Sequence, residues 1–116
     1  MSFEVRSVPT GGWLVLEIHG ELDLITAPEL ERAVETALAG SPVLLALDLT
    51  PTTFLDSSGA RQVARAARSA GRADVPARVV CPKDNRTVRL VIDLLELETL
   101  VPVVESTGDI ELESGP

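Results

Sequence analysis

Thr53-Phe54-Leu55-Asp56-Ser57-Ser58-Gly59 joins a strand pattern to a helical pattern, and the rest of the chain is organised around this stretch. Before it, residues 43–49 form a nearly continuous apolar run, as in a strand that is covered on both faces. After it, residues 60–70 repeat small apolar side chains at helical spacing. A buried strand that leads through a short loop into a helix is typical of α/β proteins.

Asp56, Ser57 and Ser58 are residue types that cap helix N-termini, because their side-chain oxygens accept hydrogen bonds from free backbone N–H groups. We expect one serine to cap the helix, which leaves the other hydroxyl near the positive end of the helix dipole. Free N–H groups and the dipole both favour an anion such as phosphate at that place. Helix capping alone also explains the stretch, and both interpretations stay open at this point.

The remaining sequence predicts strands and helices that alternate. Residues 3–8 and 13–19 are typical of a hairpin around the turn Pro9-Thr10-Gly11-Gly12. Thr26 and Glu29 have the spacing of a capping box, at the start of a helix with one apolar face. The other predicted elements are a strand at 77–81, a helix from about 84 or 85, a strand at 101–104 and an acidic tail or short helix at 107–116.

These patterns predict an α/β domain with a mixed sheet of about four to five strands, an N-terminal hairpin and three to four helices. A length of 116 residues, 45% of them apolar, predicts one domain over residues 1–116 with its core at about 3–106. The net charge of −8 argues against nucleic acid and anionic membrane surfaces as partners. Because the chain shows neither a signal peptide nor a membrane-spanning apolar run, we expect a cytoplasmic protein.

Catalytic, metal and cofactor sites find little support in the sequence. His19 is the only histidine, and strand alternation puts it on the less buried face of its strand, which argues against a Ser-His-Asp hydrolase. The lone Cys81 excludes an internal disulfide and a cysteine-clustered zinc site. No glycine-rich phosphate-binding motif or nucleophile elbow is present. We therefore predict no catalytic residue, no metal and no cofactor.

Four arginines follow the central stretch on the same predicted helix. Arg61, Arg65, Arg68 and Arg72 are spaced four, three and four residues apart, which places them in one row on the helix surface. Such a row is typical of a solvated helix face, but it would also suit an acidic partner surface. Arg61 and Arg65, the two nearest the serines, are therefore candidates for partner binding.

Gly20-Glu21-Leu22-Asp23 ends a predicted strand, and Phe54-Leu55-Asp56-Ser57-Ser58-Gly59 begins a predicted helix. In this order, with a buried strand between them, the two elements resemble the STAS domain family, and specifically the free-standing anti-sigma factor antagonists of bacteria. The resemblance runs from about residue 3 to residue 106. It implies a STAS-type fold and a binding protein rather than an enzyme.

In that family the second serine of D-S-S-G accepts phosphate from a serine kinase that is itself the anti-sigma factor. The resemblance implies that Ser58 is this phosphoacceptor and that the unphosphorylated protein sequesters the kinase, which releases a sigma factor to promote transcription. It also implies that a serine phosphatase resets the protein and that Asp23 lies near the phosphorylated serine. The expected partner-binding residues are Glu21, Asp23, Asp56, Ser57, Ser58, Gly59, Arg61 and Arg65.

Two positions depart from the family pattern. Ala60 and Arg61 follow D-S-S-G where the family usually has a large aliphatic residue such as leucine, on the expected docking surface. Leu95-Glu96 stands where a Thr-Gly pair usually ends the third helix. Two other classes of function stay open, namely a non-switching STAS scaffold subunit of a signalling or lipid-transport complex and, more remotely, an enzyme.

Overall fold

The computed structural model describes residues 3–10 and 13–113, so Gly11 and Gly12 of the predicted turn lie outside the described residues. Strands and helices alternate, which confirms the α/β class. The strands are β1 (Glu4–Thr10), β2 (Trp13–Leu22), β3 (Leu45–Asp48), β4 (Thr52–Leu55), β5 (Ala77–Val80) and β6 (Val103–Val104). The helices are α1 (Ala27–Ala39), α2 (Ser57–Arg72), α3 (Arg86–Leu94) and α4 (Thr107–Glu113), with a short 3₁₀ turn at Leu97–Thr99.

The sheet is mixed and runs in the order β1-β2-β3-β5-β6. The hairpin strands β1 and β2 are antiparallel, whereas β2–β3, β3–β5 and β5–β6 are parallel pairs. Apolar side chains of α1, α2 and α3 pack on one face of this sheet in a single core. On the other face, Ile110 of α4 packs with Trp13, Val15 and Ala46. Both faces of β3 are therefore covered, as its apolar run predicts.

The predicted strand count is one too low, because residues 52–55 form a strand where we expected a loop. β4 pairs in parallel with the end of β2, beyond the part of β2 that pairs with β3. The buried Thr52 hydroxyl donates a hydrogen bond to the Ile18 carbonyl oxygen at 2.6 Å. β3 is also shorter than predicted, since Val43 is 74% exposed and lies before the strand. The chain thus bends between β3 and β4, and both strands pair with β2 at different places along its length.

Candidate functional site

The sheet register brings the two motifs together. Leu22 at the end of β2 pairs with Leu55 at the end of β4, and the two strands are parallel. Asp23 follows Leu22 and Asp56 follows Leu55, so both loops leave the same edge of the sheet. The backbone N–H of Asp56 also donates to the Leu22 carbonyl oxygen at 3.4 Å. The start of α2 is thereby attached to the end of β2.

Gly20 redirects β2 towards β4. It is buried, has a φ of 102° and lies next to the register shift between the two strands. Only glycine adopts this φ without strain, and an irregularity of this kind bends a strand and changes the direction of its side chains. After the bend, Leu22 is buried and Glu21 is exposed. Glu21 therefore lies on the surface beside the two loops.

Asp23 organises the turn before α1. Its Oδ1 accepts hydrogen bonds from the backbone N–H groups of Ile25 at 2.9 Å and Thr26 at 3.0 Å. The Thr26 hydroxyl oxygen accepts from the Asp23 N–H at 2.9 Å and lies 2.8 Å from the Glu21 carbonyl oxygen, to which it donates. The predicted capping box is therefore wrong, because the Thr26 side chain is engaged in the turn. The N–H of Glu29 bonds instead to the carbonyl oxygen of Thr26, at 2.9 Å.

Asp56, and not a serine, caps α2. Its backbone is extended, with φ −105° and ψ −177°, and its Oδ1 accepts from the Gly59 N–H at 2.8 Å. This is the geometry of an N-cap residue, so Ser57 and Ser58 become the first two residues of the helix. Among the described residues, neither serine hydroxyl has a hydrogen-bond partner. The prediction that one serine caps the helix is wrong, and both hydroxyls remain available.

Gly59 allows α2 to begin close against β2. A Cβ at this position would overlap the Leu22 carbonyl oxygen and would lie 2.9 Å from Leu55 Cδ1. Because a backbone oxygen in a sheet cannot move aside, any side chain here would push α2 away from the sheet. Gly59 is buried, so it acts on the surface through the position that it gives to its serine neighbours.

Ser58 lines a groove between the N-terminal parts of α1 and α2, whereas Ser57 is exposed outside it. One wall of the groove is formed by Leu24, Ala27, Pro28 and Glu31, and the other by Ser58, Arg61, Gln62 and Arg65. The groove continues between the two helices past Arg68 and Arg72. In the parts of the chain that the structure describes, none of the four arginines of this row forms an ion pair. Their charge is therefore open to solvent or to a partner.

Large apolar side chains are exposed beside the serines, and sequence reasoning did not identify them as a surface. Leu24 is 69% exposed and Ile25 is 81% exposed, both in the turn before α1. Phe54 is 40% exposed and lies opposite Glu21 in the strand register. Exposed apolar side chains next to polar ones are typical of protein-binding surfaces. The signal in the sequence was that Leu24 and Ile25 precede the periodic apolar face of α1.

Ala60 does not lie on this surface. It is only 2% exposed and packs in the core with Val63 and Leu55. The two residues of this departure therefore differ, because Ala60 lies in the core whereas Arg61 is exposed and lines the groove beside Ser58. The second departure has a backbone consequence, because Glu96 adopts a φ of 52°, in the left-handed region that glycine adopts most easily.

The remaining chemically active side chains lie apart from the serines. His19 contacts Glu17 at 3.0 Å, on the sheet face opposite to the one that α2 covers. Burial raises the pKa of the Cys81 thiol to about 11, so the thiol stays protonated and behaves as a core residue. Within residues 3–10 and 13–113, no group of acids, histidines and cysteines could hold a metal ion. The same residues contain no helix that is long and apolar enough to cross a membrane.

Residues 4–110 match the model of the STAS domain family. The chain is 38% identical over 71 residues to the anti-sigma-F factor antagonist RsfB of Mycobacterium tuberculosis, a match that covers 61% of this chain and 58% of that protein. The aligned part is thus less than two thirds of the length of this curated relative. A crystal structure of an anti-sigma factor antagonist from Mycobacterium paratuberculosis is 28% identical, with a TM-score of 0.79 over 93% of this chain and 90% of that one.

SpoIIAA shares the fold at lower identity. Its unphosphorylated form is 18% identical, with a TM-score of 0.67 over 97% of this chain and 96% of that one. Its phosphorylated form, from Bacillus, is 21% identical, with a TM-score of 0.63 over 95% and 97%. The sheet, its hairpin and the helices of this chain match these structures. Since the family model covers nearly the whole chain, the resemblance is confirmed and the chain belongs to the STAS domain family.

Proposed function

We propose that this chain is an anti-sigma factor antagonist whose binding is switched by phosphorylation of Ser58. In its unphosphorylated form it sequesters an anti-sigma factor that is also a serine kinase, and a sigma factor is then released to promote transcription. A serine phosphatase resets the protein. The names of the mycobacterial relatives support the antagonist function. In this proposal the protein is a cytoplasmic binding protein with no catalytic role, no cofactor, and no nucleic acid or membrane partner.

The observation that carries the proposal is the unused hydroxyl of Ser58. Because Asp56 caps α2, phosphate can be added to Ser58 without breaking a hydrogen bond of the described fold. Ser58 Oγ bonds to the γ-phosphorus of ATP while the bond from that phosphorus to the β,γ-bridging oxygen breaks, and ADP leaves. The hydroxyl proton passes to a base of the kinase. The Ser57 hydroxyl also has no hydrogen-bond partner among residues 3–10 and 13–113, so the choice of Ser58 rests on its place in the groove and on the family motif.

Phosphate at this position opposes partner binding. It adds a charge of about −1.5 to −2 at neutral pH, next to the loops that carry Asp23 and Asp56. A partner that covers the exposed Leu24, Ile25 and Phe54 side chains would have to desolvate this charge as well. Glu21 belongs to the same proposed surface, and the buried Gly59 contributes by positioning the serines. Arg61 and Arg65 extend the surface along α2 with charges that favour an acidic partner.

The test uses two matched variants, Ser57→Ala and Ser58→Ala, with the cognate kinase and ATP. We expect wild type and Ser57→Ala to take up one phosphate and Ser58→Ala to take up none, as measured by mass spectrometry of the intact chain. Stoichiometric phosphate on Ser58→Ala would contradict the assignment. Tight kinase binding without modification of either serine would instead favour the non-switching scaffold.

A further inference from the structure

The groove beside Ser58 has one wall of polar side chains that have no partner among the described residues. Arg61 and Arg65 follow Ser58 by three and seven residues on α2, so all three lie on the same side of the helix. Both arginines are exposed, and neither forms an ion pair with a described residue. Their charges face the same groove as the Ser58 hydroxyl.

Gln62 points to a ligand independently of the arginines. It is only 6% exposed and lines the groove next to Ser58 and its continuation along the helices. Among the described residues its amide has no hydrogen-bond partner, yet no enclosed side-chain polar atom is left unsatisfied, so the amide opens into the groove. An amide that lines the groove in this way can bond to a group that enters the groove, with its N–H₂ as donor and its oxygen as acceptor.

The chemistry of this wall is that of an anion site. Two guanidinium groups and an amide N–H₂ group donate hydrogen bonds, and phosphate oxygens accept them well. The first-turn N–H groups of α2 and the helix dipole favour an anion at the same end. The acids that line the groove are Glu31 beside Ser58 and Glu35 in its continuation, and the capping Asp56 is two residues from Ser58 in the chain. The two arginines together with the helix N-terminus offset these charges. The groove holds about 270 Å³, which is room enough for a phosphoryl group.

We propose that Arg61, Gln62 and Arg65 bind the phosphoryl group of phosphorylated Ser58 within the same chain. This inference rests on the proposed phosphorylation of Ser58 and adds a second effect to it. The phosphate blocks the surface around the hydroxyl, and it also neutralises the two arginines that would attract an acidic partner. A single phosphorylation would then both block the docking surface sterically and cancel its positive charge.

The experiment uses the full chain with phosphoserine incorporated at position 58 during translation, so that it does not depend on a kinase. A ³¹P NMR titration measures the second pKa of the phosphate, which is about 6 without neighbouring charges. Cations beside the phosphate favour its dianion, so wild type should titrate below this value. In R61Q/R65Q the pKa should rise by about half a unit or more. The conservative R61K/R65K should keep most of the wild-type shift.

The matched control is R68Q/R72Q, which loses the same charge from the same row but alters side chains that line only the far part of the groove. Its phosphate pKa should stay close to that of wild type. An equal rise in both double variants would show a diffuse charge effect, and no rise in R61Q/R65Q would show that the arginines do not bind the phosphate. Either result overturns the inference.

Affinity for the kinase partner, measured on the same samples, separates this inference from the proposed function. The pKa of the phosphate can shift as expected while the partner binds the phosphorylated and unphosphorylated proteins equally. In that case the proposed phosphorylation switch is wrong, and the contact between phosphate and arginines stands. If the partner is released while the pKa is unaffected by R61Q/R65Q, the switch stands and the contact fails.

Discussion

Two helices begin at the same edge of the sheet, and they use the same kinds of side chain differently. At α1 the Asp23 carboxylate and the Thr26 hydroxyl are both engaged in hydrogen bonds of the turn. At α2 the Asp56 carboxylate holds the first turn, and the Ser57 and Ser58 hydroxyls have no partner in the part of the chain that the structure describes. The hydroxyl at the start of α1 is held in the turn, whereas the two hydroxyls at the start of α2 are free to be modified.

The largest expected effect comes from Gly59, which holds the start of α2 against β2. Gly59→Ala should lower the free energy of unfolding by roughly 3 kcal/mol, because the new Cβ would overlap the Leu22 carbonyl oxygen. Urea denaturation followed by circular dichroism measures this change. Gly71→Ala, near the end of the same helix, meets no atom within 4 Å and should raise stability by about 0.5 kcal/mol.

Equal effects of these two alanine variants would contradict the close contact between α2 and β2. In that case the place of the serines would not depend on a glycine. The difference between the two helix starts would then reduce to their capping side chains.

Phosphorylation of Ser58 should weaken partner binding strongly and change stability little. We expect kinase affinity to fall at least about tenfold, or about 1.4 kcal/mol, because the partner must desolvate the new charge. The melting temperature should move by only a few degrees, since the helix dipole and the repulsion from Asp56 act in opposite directions. Both quantities are measured on one phosphorylated sample. Loss of the helical circular dichroism signal would show that phosphate acts by unfolding α2.

Removing a hydroxyl should lower stability at the start of α1 but not at the start of α2. Thr26→Val keeps the side-chain shape but leaves the Asp23 N–H and the Glu21 carbonyl oxygen without this partner, and should cost about 1 kcal/mol of stability. Ser57→Ala and Ser58→Ala remove hydroxyls that make no hydrogen bond to a described residue, and should change stability by less than about 0.5 kcal/mol. Chemical denaturation of the three variants compares them. A loss near 1 kcal/mol for either serine variant would reveal a hydroxyl that the fold uses.

Much of the fold was predictable because it follows from apolar periodicity. Residues 44–49 of the apolar run are buried, and the repeats in α1, α2 and α3 bury most of the side chains that the patterns indicate, whereas Val43 is exposed. β4 was missed because it is four residues long and exposes both Thr53 and Phe54, so no alternation identifies it. Its existence depends on β2 continuing past Gly20, which is a tertiary contact that local patterns do not encode.

The site was less predictable, because its capping residues compete with one another. Thr26 and Glu29 have capping-box spacing, but Asp23 lies three residues earlier and engages the Thr26 hydroxyl in its own turn. Asp56 and the two serines are all good caps, and only the position at which α2 begins decides among them. The resemblance indicated which loops come together, whereas the hydrogen bonds within each loop required the structure.

The smallest effect should come from charge alone, and it tests whether the two carboxylates differ in their relation to the phosphate. Asp56→Asn keeps an oxygen to accept the Gly59 N–H but loses the charge that the helix dipole favours, so it should cost about 0.3 kcal/mol in the unphosphorylated protein. In the phosphorylated protein the same change also removes a repulsion, and the cost should vanish or become a gain of about 0.5 kcal/mol. Asp23→Asn should depend less on phosphate, because Asp56 is two residues from Ser58 in the chain whereas Asp23 lies on the neighbouring loop. Urea denaturation of both variants, with and without phosphate, measures the four values. An equal dependence on phosphate would show that Asp23 is as close to the phosphoryl group as Asp56, and the two helix starts would then form one electrostatic unit.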